Sequence, residues 1–142
     1  MNLFPPEVTT GSLNKLSART MVEYIGIEFT EVGADYIRAR MPVDYRTQQP
    51  YGLLHGGASV VLAETLGSVA AHCTVMKENK YCVGLEINAN HIRSVKEGFV
   101  TGTARPIHIG KRTQVWEIRI TNENDELVCI SRITMAVLDR KP

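Results

Sequence analysis

The stretch Leu53-Leu54-His55-Gly56-Gly57-Ala58-Ser59-Val60-Val61-Leu62-Ala63-Glu64-Thr65-Leu66-Gly67-Ser68-Val69-Ala70-Ala71 decides how the rest of the chain is read. Beyond its opening glycines it is rich in small apolar residues and apolar nearly all round. That pattern predicts a buried helix rather than an amphipathic surface helix. The segment before it, Asp44 to Gly52, carries Asp44, Pro50 and Gly52 and is expected to be a loop.

Upstream of that loop, Ile25 to Val43 contains strand signals. In Tyr36-Ile37-Arg38-Ala39-Arg40-Met41 apolar and polar residues alternate. Ser12 to Val22 is expected to form a short amphipathic helix with Leu13, Leu16 and Met21 inward. Residues 1–11, with Pro5 and Pro6, read as a loose lead-in. Downstream, four strands are expected. They are Cys82 to Ile92, Phe99 to Ile109 with a bend at Pro106, Thr113 to Thr121, and Leu127 to Leu138 after a polar turn at Asn122 to Glu126. Hairpin-length connections favour antiparallel pairing. The reading is an α+β domain spanning residues 1–142, an antiparallel sheet wrapped around one long central helix.

Composition narrows the function classes. The 16 basic residues nearly balance the 15 acidic ones, and no long basic run occurs, so nucleic-acid binding has little support. The N-terminus lacks the basic start and apolar run of a signal peptide. The most apolar stretch contains His55, Glu64 and His72, which argues against a membrane span. Cys73, Cys82 and Cys129 are odd in number and lack CxxC spacing, so they read as reduced, small hydrophobes in a cytoplasmic protein. The histidines lack metal-ligand spacing.

Glu64 is the most informative residue. A carboxylate among Val60, Val61, Leu66 and Gly67 is costly unless it is paired or used. Burial of a carboxyl group also suits it to proton transfer near neutral pH. Gly56 and Gly57 lie where the helix should begin, where free N–H groups and the positive end of the dipole polarise a carbonyl oxygen. Gly56 and Glu64 are eight residues apart, about 12 Å along a helix. One carbonyl group cannot touch both in the same helix, so a shared reaction would need two subunits with antiparallel central helices. Ser68 lies one turn beyond Glu64 on the same face and lacks the GxSxG setting of a nucleophile. It could orient the carboxylate or a water, or simply bond its own backbone.

These residues resemble a known family. Pro50 to Glu64 is similar to the signature of the 4-hydroxybenzoyl-CoA thioesterase, PaaI-like group of hotdog-fold proteins, in its naphthoyl-CoA hydrolase and enterobactin-proofreading branch. Met41-Pro42-Val43-Asp44, Gly84 to His91 and Gln114-Val115-Trp116 extend the likeness over nearly the whole chain from about residue 20. The resemblance implies an acyl-CoA thioesterase acting on an aromatic acyl group. Glu64 would then be base or nucleophile, the Gly56 N–H would polarise the thioester oxygen, Gln49 and His55 would orient the carbonyl, and Ser68 would assist the water. It also implies that Gly84, the run His91, Ile92, Arg93, Ser94, and the run His108, Ile109, Gly110, Lys111, Arg112, Thr113 hold coenzyme A. No cofactor is implied beyond the coenzyme A of substrate and product. The implied assembly is a homodimer with composite sites, paired into a homotetramer, with no nucleic-acid or membrane partner. Two competitors stand beside it. A hotdog dehydratase or hydratase would use His55 and Glu64 on a 3-hydroxyacyl thioester. A non-catalytic acyl-CoA sensor would be expected to carry a DNA-binding segment, for which the chain has no room before Leu13.

Overall fold

A computed structural model describes residues 1–142. In chain order, α1 is Thr10–Ser17, α2 Met21–Tyr24, β1 Glu28–Val32, β2 Ile37–Pro42, α3 Gly56–Val75, β3 Lys80–His91, β4 Phe99–Ile109, β5 Thr113–Thr121 and β6 Leu127–Asp139. The six strands form one antiparallel sheet in the order β1-β2-β4-β5-β6-β3. The four strands after the helix fall where alternation places them, and the irregularity expected at Pro106 is a bulge between Pro106 and His108.

Register explains why one face of this sheet is a core. Ala39 pairs with Gly102, Gly102 with Ile120, and Ile120 with Cys129, so one row of small and apolar residues crosses four strands on the same face. A second row runs Ile37, Ala104, Ile118 and Ser131. Side chains alternate sides along a strand, so these rows stand on the inner face while Arg38, Arg40, Thr103 and Arg119 stand on the other. α3 lies across the inner face and buries Leu62, Ala63, Leu66, Gly67, Ala70 and Ala71 against it. The approach is close. A Cβ on Gly67 would sit 2.4 Å from Ile133 Cγ2, and one on Gly102 would sit 2.5 Å from Leu66 Cδ1. A buried polar relay also ties helix to sheet: Trp116 Nε1 donates to Gln114 Oε1 at 2.9 Å, and Gln114 Nε2 donates to Thr74 Oγ1 at 2.8 Å.

By length and composition α3 could cross a bilayer, with a mean hydropathy of 1.3 over its most apolar window, but half of that window is buried inside the domain. Its other face, with Val60, Val61, Glu64, Ser68 and Val69, is only half-buried. The two sheet edges contrast. β1 is short and carries the ion pairs Glu28–Arg40 and Glu31–Arg38 across to β2. β3 is 12 residues long, pairs only with β6, and exposes Tyr81, Val83 and Leu85.

The N-terminal quarter differs from expectation. Instead of one helix over Ser12–Val22, α1 ends at Ser17 and α2 starts at Met21, because Arg19 takes a left-handed φ of 61° and Thr20 caps a new helix. The break turns Leu16 and Met21 to solvent and leaves Leu13 as the buried contact. Ile25 to Val43 resolves into two strands rather than one, turned between Val32 and Ile37. The opening residues are anchored rather than loose. Phe4 and Val8 are buried, Phe4 stacks on Trp116 with ring centroids 6.4 Å apart, and Leu3 N–H donates to the Ala34 carbonyl. An aromatic ring is large enough that its burial offsets the cost of ordering a terminus. Phe4→Ala should therefore destabilise the domain by about 3 kcal/mol, read as a lower denaturation midpoint at unchanged slope. A loss below about 0.5 kcal/mol, the range of an ordinary surface change, would show the segment to be the loose lead-in that its prolines suggest.

Candidate active site

The loop into α3 is held from both sides. Gln49 N–H donates to the Leu53 carbonyl, His55 N–H to Thr47 and Leu54 N–H to Val95, each at 2.7–2.8 Å. His55 is the residue before the helix, and its Nδ1 accepts from Gly57 N–H at 2.8 Å. An accepting Nδ1 places the ring proton on Nε2, which is left as a donor. The other first-turn donors are also taken: Ala58 N–H and Ser59 N–H both reach the His55 carbonyl, at 2.9 and 3.3 Å. The Gly56 N–H alone in this turn has no partner in the chain. It is an unsatisfied donor at the positive end of a 20-residue helix.

That N–H opens on a cavity of about 320 Å³ whose wall includes Gln49, Gly56, Ser59 and His91 to Ser94. His91 lies directly over the helix start; a Cβ on residue 56 would come within 2.8 Å of its Nε2. A larger residue there would have to push the His91 ring aside. Gln49 turns its side-chain oxygen to the N–H of Tyr51, which leaves its amide N–H groups for other partners. Arg93 is partly committed to Glu126, at 3.3 Å. The fold thus brings Gln49, Gly56 and His91–Ser94 together, although they lie on a loop, a helix and the end of β3.

Glu64 is elsewhere, two turns along α3, and is half-buried. None of the eight ion pairs of the chain includes it, so no arginine or lysine of its own chain pairs with it. Its Oε1 occupies the space above Gly84, 2.8 Å from where a Cβ would stand. Gly84 is therefore the floor beneath the carboxylate, on β3 but away from the His91–Ser94 wall. Ser68, one turn on, lines a second cavity of about 410 Å³. It is mainly apolar and bounded by Leu13, Leu16, Val22, Val69 and Cys82. The run His108 to Thr113 is the β4–β5 hairpin at the far, C-terminal end of α3, where Gly110 and Lys111 border Thr74 and Gln114. Lys111 and Arg112 are exposed and take part in none of the ion pairs.

Within one chain, then, the residues singled out in the sequence fall into three groups strung along α3: the helix start, the Glu64 face, and the far hairpin. No three of the His, Cys, Asp and Glu side chains converge as a metal site would require. Burial pushes the Cys73 thiol up to about 11, and raises Cys82 and Cys129 as well, so all three are protonated and unreactive near neutral pH. The polar residue that the sequence did not single out is Ser59. It passes for one more small residue of the helix until the fold turns it into the first cavity.

Comparison with known proteins identifies the family. Residues 51–129 match the model of the thioesterase superfamily, a span that includes the helix start, Glu64 and the His91–Ser94 wall. The chain is 52% identical to the 1,4-dihydroxy-2-naphthoyl-CoA hydrolase of Escherichia coli over 93% of its own length and 96% of that protein's. It is 49% identical to the proofreading thioesterase EntH of Cronobacter turicensis over 92% and 95%. Among solved structures, a thioesterase from Haemophilus influenzae superposes with a TM-score of 0.93 at 48% identity, covering 96% of this chain and 95% of that one. With the sheet-wrapped helix, the glycine start and the unpaired glutamate in place, the chain belongs to the thioesterase superfamily as a hotdog-fold thioester hydrolase.

Proposed function

We propose that the chain hydrolyses an aromatic acyl-CoA, of the dihydroxynaphthoyl or hydroxybenzoyl kind, to the free acid and coenzyme A. The observation that carries the mechanism is the pairing, on one helix, of a single unsatisfied N–H at Gly56 with an unpaired carboxylate at Glu64 about 12 Å away. Neither group has a structural use in the chain. Together they are what hydrolysis of a thioester needs, provided that they come from two copies.

The long β3 edge and the half-buried face of α3 support such a pairing. An unpaired, partly apolar edge of this length is a template for a second strand. A twofold axis there would set two α3 helices antiparallel, with the Gly56 end of one facing Glu64 of the other. A homodimer with two composite sites follows, and a homotetramer by further pairing. The far hairpin would then reach the partner's site, where Lys111 and Arg112 suit the phosphates of coenzyme A and His91–Ser94 the rest of the carrier.

In the reaction, the Gly56 N–H and the Gln49 amide hold the thioester oxygen, with His55 beside them. Glu64 of the other copy takes a proton from water as the water oxygen bonds to the carbonyl carbon. Alternatively, it attacks directly to give an anhydride that water then opens. The carbon–sulfur bond breaks, and coenzyme A leaves as the thiol once it regains a proton. Ser68 would orient the water or the carboxylate. Water is the only co-reactant, with no metal or redox group in the scheme. The apolar cavity past Ser68 suits a flat hydrocarbon ring, and the substrate named for the Escherichia coli relative supports an aryl group. Free, protonated cysteines agree with a cytoplasmic setting.

Two measurements test this. Glu64→Gln should lower kcat at least ~100-fold with little change in KM, as expected for loss of an acid–base group; near-normal turnover would remove Glu64 from the chemistry. Across a panel of dihydroxynaphthoyl-, benzoyl-, phenylacetyl- and C2 to C16 acyl-CoAs, thiol release should be fastest with the aryl members. Faster release from the straight-chain members would overturn the aromatic assignment, and bound but unhydrolysed thioesters throughout would indicate a binding protein.

A further inference from the structure

Four polar side chains are buried in this fold: Thr47, Ser59, Gln114 and Ser131. Three have evident partners. Thr47 Oγ1 donates to the Pro42 carbonyl at 2.7 Å, Ser131 Oγ to Asn88 at 2.8 Å, and Gln114 bridges Thr74 and Trp116. Ser59, 2% exposed, has none. Helical hydroxyls commonly return to their own backbone, and here Ser17 does so to Leu13 at 2.9 Å and Thr74 to Ala71 at 2.8 Å. The Ser59 hydroxyl does neither, and it faces the cavity that Gln49, Gly56 and His91 enclose. No side-chain polar atom of the chain is both sealed from solvent and without a partner, so the Ser59 oxygen, which bonds nothing in the chain, keeps contact with the cavity and is free to bond what enters it.

Its position indicates what that would be. Ser59 follows Gly56 by three residues, so the two share a face of the helix. Side chains on a helix lean toward its N-terminus, which carries the hydroxyl back from its own turn toward the level of the free Gly56 N–H. We propose that Ser59 is a further catalytic residue: its hydroxyl donates a hydrogen bond to the same thioester carbonyl oxygen that the Gly56 N–H polarises. The inference rests on the thioesterase reading. Ser59 keeps its proton throughout and forms no bond to carbon. As water adds and charge grows on the oxygen, the hydrogen bond strengthens, so the hydroxyl acts chiefly on the transition state.

Ser59→Ala removes one oxygen from a cavity wall and leaves the packing of α3 intact. With the best aryl-CoA substrate, kcat should fall about 10- to 100-fold while KM and Tm stay close to those of the unaltered protein. An unchanged kcat would overturn the assignment while leaving the thioesterase reading in place. So would a raised KM at unchanged kcat, which would place the hydroxyl on the coenzyme A portion, or a fall in kcat matched by a fall in Tm, which would make it structural. Absence of thiol release from the unaltered protein would instead remove the thioesterase reading, and this inference with it.

Discussion

A helix is a rigid rod, and α3 is the rod on which this molecule is built. Its 20 residues rise about 30 Å, and the contact of Gly67 with Ile133 and of Leu66 with Gly102 holds it hard against the sheet. Because helix and sheet cannot slide past one another without losing those contacts, the positions of Gly56, Ser59, Glu64 and Ser68 are set relative to every strand. The rigidity that fixes these groups also keeps them apart. No rearrangement of side chains brings the free N–H at the start of α3 to a carboxylate two turns further along.

Much else follows from that separation. The first turn of α3 satisfies every N–H but one, with the His55 ring capping the Gly57 N–H. The His91 ring closes over the glycine and confines whatever approaches. The second face of the helix keeps Glu64 without a counter-ion, and the neighbouring β3 edge keeps its hydrogen-bonding groups without a strand. In the proposed dimer a second copy of the chain would supply a partner to the last two together.

The architecture was legible in the sequence where periodicity is strong. Alternation along Thr113–Thr121 and Leu127–Asp139 marks inner and outer faces directly, and the apolar run after Gly57 marks the buried helix. The N-terminal quarter was less legible because its anchoring is long-range: nothing local shows that Phe4 will stack on Trp116, and the break at Arg19 depends on a backbone conformation that an arginine rarely adopts. Glu64 stood out because a charge among small apolar residues has few innocent uses. Gly84 was grouped with coenzyme A by resemblance; that it also lies under the Glu64 carboxylate is a contact between helix and strand that no spacing reveals. Ser59 was invisible for the opposite reason. A serine is unremarked in a run of small residues until neighbours show which serines bond their own backbone and which face a cavity.

In the proposed dimer, Gly56 of one copy and Glu64 of another act on the same thioester. Two differently tagged chains, one carrying Glu64→Gln and the other Gly56→Val, should each be nearly inactive alone. Co-expressed and exchanged freely, the mixed dimers would contain one site with both groups intact and one with neither, so the mixture should recover about a quarter of full activity. Recovery at that level, concentrated in the doubly tagged fraction, is the result predicted. A doubly tagged fraction as inactive as its parents would mean that each site draws both groups from a single chain, and would contradict the account.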